Sequence, residues 1–378
     1  MKIYVVAGEA SGDSRGVELM RALRELRPDI EFLGAGGREM RAFAGDAIFD
    51  WADEAVVGLW DVLKKYGYFS KQFHRMLAEL EAAKPDALIT IDYPGFNMRL
   101  AKEAKRRMPT LRTIHYISPQ VWAWHRGRIP KMAKFLDLML CLFPFELPLY
   151  ADAGLRAVCV GHPLLDSLAA EKKEQPRDVS LVALLPGSRG KEVRKIFPIM
   201  IEAAKILRQF SLSLRFEAAA AREVLADEMR AMLATHGCDE GFSITLRSAH
   251  DLMQRAGAGM VCSGTATLES TFFGLPMVIL YKVAWLTWAV GKRLVKIPWL
   301  GLPNVLAGRE IIREFLQDDA QPDRIAGEVR RLLEDSSTRE EQQRAQAAVI
   351  ASLGERGAAR RAADAILAAQ GTRWSTSD

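Results

Sequence analysis

Four cysteines in 378 residues, Cys141, Cys159, Cys238 and Cys262, lie far apart and form no Cys-x-x-Cys pair. Three of them sit in apolar, strand-like runs, so buried reduced thiols are expected rather than a disulfide framework or a zinc ribbon. No apolar run reaches the roughly 20 residues of a spanning helix; the longest, Leu138–Leu149 and Val283–Gly291, are stopped by Glu146 and by Lys292. No charged-then-apolar export signal precedes the opening Lys2-Ile-Tyr-Val-Val, and a soluble cytoplasmic protein is expected. Neither the Walker sequence nor Gly-x-Gly-x-x-Gly occurs, and no short-period repeat is present. Asp-x-Asp is missing as well, so nothing indicates a divalent ion holding a nucleotide diphosphate. Neither a metal nor a cofactor is expected.

What is there is a globular composition, 49% apolar and 26% charged, long enough for two domains. A net charge of +5 with pI near 9.0 suits an anionic partner: nucleotide, nucleic acid or acidic lipid. Short β-like runs alternate with helical ones. Ile3–Ala7, Glu31–Ala35, Ala87–Ile91, Arg112–Ile117, Asp137–Leu142 and Ala157–Val160 read as strands. Arg15–Leu26, Phe69–Ala83, Met98–Arg107 and Arg128–Phe135 read as helices. The polar stretch Glu171–Asp178, with Pro176 and no apolar residue, reads as a linker. Alternation then restarts with strands at Leu181–Leu185, Ser213–Ala218, Phe242–Leu246, Ala258–Cys262 and Met277–Leu280, and the last 70 or so residues look helical. The expected fold is α/β: two doubly wound parallel sheets, residues 1–170 and 179–345, joined by 171–178, with helices and a polar tail over 346–378 that could return to the first domain. Two such domains facing each other would form a cleft, with ligands at the carboxyl ends of the strands.

Several polar turns fall at such ends. Leu181-Val-Ala-Leu-Leu-Pro-Gly-Ser-Arg-Gly-Lys191 is a strand, a tight turn and a helix start, and such a turn aims N–H groups at an anion. Arg189, with Ser188 and Gly187, adds a cationic fork for phosphate oxygens; a plain turn with a surface arginine is the bland alternative. Ser263-Gly-Thr-Ala-Thr-Leu-Glu269 repeats the pattern, with Gly264 and Thr265 at a helix start. Glu269 there can accept hydrogen bonds from paired ribose hydroxyls, or simply favour the helix dipole. Asp92, leaving the strand Leu88–Ile91, is a candidate general base or, alternatively, a cap of the helix that follows or an anchor of the turn. Glu9, Ser11 and Asp13 in the first turn can orient a base or a sugar, although Ser11 and Asp13 are also good caps for their own helix, the reading favoured for Asp13. Asn304 and Glu310 are polar punctuation in an apolar region. His115 and His162 follow strands and could face the cleft; His250 reads as a helix start.

One stretch is greasy and lysine-flanked: Val56, Val57, Leu59, Trp60, Val62, Leu63, Tyr66, Tyr68 and Phe69, beside Lys64, Lys65 and Lys71. It suits a membrane interface or an acyl-chain groove, and core packing equally. Trp285, Trp288 and Trp299 lie beside Lys292, Arg293 and Lys296 in the same manner.

Six motifs occur in order: Gly8-Glu-Ala-Ser-Gly-Asp13, Asp92-Tyr-Pro-Gly-Phe-Asn97, His115-Tyr-Ile-Ser-Pro-Gln-Val-Trp-Ala-Trp124, Leu184-Leu-Pro-Gly-Ser-Arg-Gly190, Ser263-Gly-Thr-Ala-Thr-Leu-Glu269 and Leu302-Pro-Asn-Val-Leu-Ala-Gly-Arg-Glu310. Together they closely resemble the lipid-A-disaccharide synthases, over nearly the whole chain to about Gln370. The resemblance implies a GT-B fold and inverting transfer of 2,3-diacylglucosamine from UDP-2,3-diacylglucosamine to 2,3-diacylglucosamine 1-phosphate, with a β-1,6 linkage and release of UDP. It implies that Asp92 is the general base, that Glu9 and Ser11 belong to the catalytic turn, and that Arg189, Glu269 and Asn304 touch the donor. Gly95 stands where some relatives carry a second aspartate, which leaves Asp92 as the motif's only carboxylate. Peripheral association with anionic lipids of the cytoplasmic face of the inner membrane is implied too, with Leu59–Phe69 admitting acyl chains; a homodimer is left open. Two rivals stand beside this reading. A non-hydride sugar-nucleotide epimerase would use the same fold, and a nucleic-acid-binding protein is supported by pI alone.

Overall fold

The computed structural model describes residues 1–51, 66–122, 126–238, 240–246, 249–282 and 298–371. They form two compact units, Met1–Asp166 with Glu355–Asp378, and Ser167–Gly354.

The first unit is built on a seven-stranded parallel sheet ordered β3-β2-β1-β4-β5-β6-β7. Its strands are β1 (Lys2–Ala7), β2 (Glu31–Gly36), β3 (Ile48–Asp50), β4 (Ala87–Ile91), β5 (Arg112–Tyr116), β6 (Leu138–Cys141) and β7 (Ala157–Cys159). Every residue of β4 and β6 is buried, the mark of strands covered on both faces, and their sequences are accordingly apolar runs without alternation. Helices α1 (Ala10–Leu26), α2 (Arg38–Ala44), α3 (Tyr66–Ala83) and α4 (Pro94–Arg107) flank the sheet. One apolar cluster joins α3 through Met76, Leu77 and Leu80 and α4 through Leu100, Ala101 and Ala104 to Tyr4, Val6, Leu88 and Met139 of the strands. The helix expected over Arg128–Phe135 is a single turn, Ile129–Met132, followed by turns to Phe135.

The second unit repeats the plan with six parallel strands ordered β10-β9-β8-β11-β12-β13. They are β8 (Asp178–Leu185), β9 (Arg215–Ala220), β10 (Phe242–Leu246), β11 (Ala256–Cys262), β12 (Met277–Tyr281) and β13 (Glu314–Leu316). The helices are α5 (Gly190–Phe210), α6 (Glu223–Thr235), α7 (Ala249–Arg255), α8 (Thr265–Phe272), α9 (Leu302–Ala307), α10 (Pro322–Glu334) and α11 (Ser336–Ser352). The polar stretch 171–178 is stitched to this unit. Half-buried Arg177 donates from Nη1 to the carbonyls of Met253 and Ala256, both 2.8 Å, and from Nη2 to that of Phe273; desolvation lowers its guanidinium to about 10.

Two helices close the chain and go different ways. Helix α11 stays with the second unit: Gln342 accepts from Met277 N at 2.7 Å and Gln346 donates to Leu275 O at 2.8 Å. Position 346, where composition suggested a division, is thus mid-helix. The last helix, α12 (Ala358–Gly371), packs on α1. Asp166 accepts from Gly357 N and Ala358 N at its start, at 2.7 and 3.1 Å, and Ala358, Ala362, Ala363 and Ile366 are wholly buried.

Candidate active site

In a doubly wound sheet, strand order reverses at one point, and the two strand ends there diverge to leave room for a ligand. In the first sheet this point lies between β1 and β4, paired to the last residue, Ala7 beside Ile91. In the second it lies between β8 and β11, with Leu185 beside Val261. The turns that follow these four strands are Gly8–Glu9, Asp92–Tyr93, Pro186–Arg189 and Ser263–Gly264, and Ser11 and Thr265 stand in the first turns of the helices that follow two of them. Each pair therefore shares one strand-end edge.

At the first edge, Asp92 and Tyr93 both adopt left-handed backbone, φ +47° and +45°. Such strain costs on the order of 1–3 kcal/mol per residue and persists only where surroundings enforce it. Here Asn97 enforces it: its amide donates to the carbonyls of Ile91, at 3.0 Å, and Asp92, at 2.7 Å, while Asp92 N donates to Tyr116 O at 2.9 Å. Pro94 starts α4 with Tyr93 as its N-cap and no side-chain cap, so the capping alternative for Asp92 fails. Burial raises the Asp92 carboxyl above the ordinary range, partly offset by a hydrogen bond from the Tyr93 backbone.

The first turn is pressed against this one. A Cβ on Gly8 would lie 2.4 Å from Tyr93 Cδ1, so only glycine allows the approach. Glu9 is the N-cap of α1, again without a side-chain cap bond, and burial together with its charge raises the Tyr93 phenol. Ser11 is exposed in the helix's first turn. Asp13 lies inside α1 and caps a different helix: it accepts from Gly37 N at 2.7 Å, Glu39 N at 2.9 Å and Met40 N at 3.1 Å, at the start of α2. Beneath the turns, Trp51 donates from Nε1 to Ala7 O at 2.7 Å and packs edge-on against Tyr93 and Phe69 and tilted against Phe96, centroids 6.3, 6.3 and 4.7 Å away. Phe69 is half-buried against this aromatic cluster. Tyr66 opens α3, and Val57, Leu59, Trp60 and Leu63 lie outside the described residues.

At the second edge, Arg189 is the N-cap of the 21-residue α5. Its side chain is 63% exposed and pairs with Glu192 at 3.0 Å. Gly187 turns the chain at φ +108°, and a Cβ there would come 2.5 Å from Glu192 Oε2. Ser188 is exposed beside it. Gly264 is the N-cap of α8 and Thr265 its exposed first residue. Glu269, one turn further, faces His250: Oε2 lies 3.7 Å from His250 Nε2.

Two further sequence expectations, on Asn304 and His115, are corrected. Asn304 is fully buried, and its amide is spent on its own chain. Nδ2 donates to Ile312 O and Glu314 Oε1, at 2.7 and 2.8 Å, and Oδ1 accepts from Ile311 N and Ile312 N, at 2.8 and 2.9 Å. That fills an amide's capacity, so Asn304 staples the 301–314 loop rather than contacting a donor. His115 lies within β5, buried on Thr90 Oγ1 at 2.8 Å, and burial lowers it to about 3. His162 is lowered to about 4, mainly by burial and then by Arg15, and its Nδ1 accepts from Leu164 N at 3.1 Å. Glu310, exposed, pairs with Arg313 at 3.2 Å. Among the described residues no three His, Cys, Asp or Glu side chains cluster as metal ligands, and no helix is long and apolar enough to cross a membrane.

Residues 3–369 match the model of the family described as lipid-A-disaccharide synthetase. The chain is 39% identical over 374 residues to the lipid-A-disaccharide synthase of Trichlorobacter lovleyi, covering 97% of each. It is 40% identical over 347 residues to that of Pseudomonas aeruginosa, covering 89% of this chain and 90% of the relative. The chain belongs to the lipid-A-disaccharide synthase family. It is therefore an enzyme of lipid A biosynthesis, a glycosyltransferase of the GT-B fold class. Solved structures show the same fold at distant identity. UDP-GlcNAc 2-epimerase from Neisseria meningitidis bound to UDP-GlcNAc has TM-score 0.61 at 11% identity, covering 97% of this chain and 100% of the other. A UGT transferase from Siraitia grosvenorii in complex with UDP has TM-score 0.61 at 11% identity, covering 98% and 100%. Membership in the lipid-A-disaccharide synthase family separates this chain from the epimerases whose fold it shares.

Proposed function

We propose that this protein joins UDP-2,3-diacylglucosamine to 2,3-diacylglucosamine 1-phosphate, giving the β-1,6-linked disaccharide 1-phosphate and UDP in a single inverting displacement. The observation that carries the reading is that the four motif turns fall in pairs at the reversal points of the two sheets, where such folds hold ligands.

The first edge serves the acceptor. Asp92, its carboxyl made more basic by burial, takes the proton of the acceptor 6-hydroxyl as that oxygen attacks the donor's anomeric carbon. The bond from that carbon to the UDP oxygen breaks, UDP leaves with the electron pair, and the proton passes from Asp92 to water. Attack opposite the leaving group turns an α-linked donor into a β product. Glu9 and Ser11, at the same edge, orient the acceptor.

The second edge serves UDP. Arg189 and the N–H groups opening α5, with Gly187 and Ser188, stabilise the diphosphate as charge develops on it. The Arg189–Glu192 pair is solvent-exposed and so is worth at most about 1 kcal/mol, which leaves the guanidinium cheap to redirect to phosphate. Glu269 accepts from the ribose hydroxyls, with Gly264 and Thr265 approaching the nucleotide, and Glu310 lies on the loop that Asn304 holds. The net charge of +5 favours docking on anionic lipid of the cytoplasmic membrane face, where both substrates would reside, with Leu59–Phe69 serving to admit acyl chains.

The test is an assay of purified protein with both acylated substrates, reading disaccharide and UDP together. Equimolar products are expected; no disaccharide overturns the proposal.

A further inference from the structure

His250 lies between two carboxylates. Its Nδ1 lies 2.7 Å from Glu171 Oε2 and its Nε2 3.7 Å from Glu269 Oε2. Nδ1 is within hydrogen-bond distance of its carboxylate and Nε2 is in ion-pair range of the other, and a carboxylate within about 4 Å of each ring nitrogen favours the imidazolium, which is positive at both. The ring is also held in place. Phe273 packs on it at 5.5 Å between centroids. Gln254 donates to the carbonyls of His250 and Glu171, both at 3.1 Å, and accepts from Lys173 N at 2.6 Å. The other charges nearby neutralise one another: Asp251 pairs with Lys173 at 3.1 Å and Arg255 at 2.8 Å, and Arg255 with Glu217 at 2.5 Å. Glu171 and Glu269 are the carboxylates left facing the ring.

We propose that His250 is a positioning residue for donor binding, an imidazolium strut that fixes the Glu269 carboxylate in the orientation that receives the ribose hydroxyls of UDP. The inference rests on the reading of Glu269 given above. Glu269 foremost, and Glu171, raise His250 to about 9 against the opposing effect of burial, so the strut is charged at neutral pH and lost as pH rises through that value. Without it, Glu269 is free to change rotamer and must be ordered again on binding, which weakens UDP by about three- to tenfold. Arginine at this position retains a cation.

The experiment is calorimetric titration of the full protein with UDP, comparing wild type, His250→Gln, His250→Arg, Glu269→Gln and the double variant His250→Gln/Glu269→Gln, at pH 7 and pH 10. Expected are a three- to tenfold loss for H250Q, a value within twofold of wild type for H250R, and no further loss when H250Q is added to E269Q. At pH 10 wild type should weaken relative to H250R, which shares whatever pH dependence belongs to UDP itself. An unchanged affinity in H250Q beside a weakened E269Q overturns the positioning role alone, as does an equal H250Q loss in both backgrounds. An unchanged affinity in E269Q overturns the reading of Glu269 on which the inference stands. If H250Q does not fold, the pH comparison of wild type with H250R decides: parallel curves overturn the proposal.

Discussion

Replacing Asp92 by asparagine separates catalysis from folding more cleanly than any other change in the chain. The side chain keeps its shape, and asparagine tolerates left-handed backbone as well as aspartate does, so the turn at φ +47° is preserved. What is lost is the proton acceptor. General-base catalysis contributes roughly 10²–10⁴-fold; the lower bound raises the barrier by about 2.7 kcal/mol, at 1.36 kcal/mol per tenfold. Stability should move the other way. A carboxylate whose folded pKa is raised by burial is worse off ionised in the folded state than in the unfolded chain, so at neutral pH it costs stability, and the cost fades as pH falls through the folded value. The Asp92→Asn variant should therefore melt no lower than wild type at pH 7. The assays are disaccharide formation, UDP titration and thermal melting on the same preparations. Turnover down 100-fold or more, UDP affinity within twofold and an undiminished melting temperature are expected; turnover within tenfold of wild type refutes the base role. Wild-type turnover should also fall as pH drops through the Asp92 value, since the base must be ionised.

The other changes probe one link each. Arg189→Ala should weaken UDP about tenfold or more through loss of a charge-assisted contact and leave melting unchanged, because its partner Glu192 lies at the surface; an effect confined to the acceptor contradicts the assignment. Asn304→Ala strands the N–H groups of half-buried Ile311 and buried Ile312 and the Ile312 carbonyl, a loss of about 2 kcal/mol or more. In a unit of this size that lowers its melting by about 4–8 °C, and an unshifted melt would show that the staple is dispensable. Gly8→Ala drives a methyl into Tyr93, so turnover should drop while UDP affinity holds; loss of UDP binding instead would place the first turn in the donor's service.

The central strands and the turns that end them were legible because each pairs a buried apolar run with an abrupt polar or glycine-rich turn, as in Ile91–Asp92 and Leu185–Pro186. The edge strands β3 and β13 were not: three residues are too few to show a period. Contacts between side chains distant in sequence were equally hidden. Asp13 looked like a cap of its own helix, yet its partners are 24 to 27 residues away. His250 looked like a helix start, and its carboxylate partners belong to α8 and to the stretch entering β8. Asn304 stood out as a polar residue among apolar ones, a signal that a buried staple and a ligand contact share; the difference lies in Ile311, Ile312 and Glu314 folding back to fill its amide.

The most direct test of the account is the anomeric configuration of the new bond. Incubating the purified protein with UDP-2,3-diacylglucosamine and 2,3-diacylglucosamine 1-phosphate, and reading the proton coupling at the joined anomeric carbon, should give a β-1,6 disaccharide 1-phosphate with one UDP released per bond. An α-linked product, or UDP released without disaccharide, would contradict a single displacement driven by Asp92.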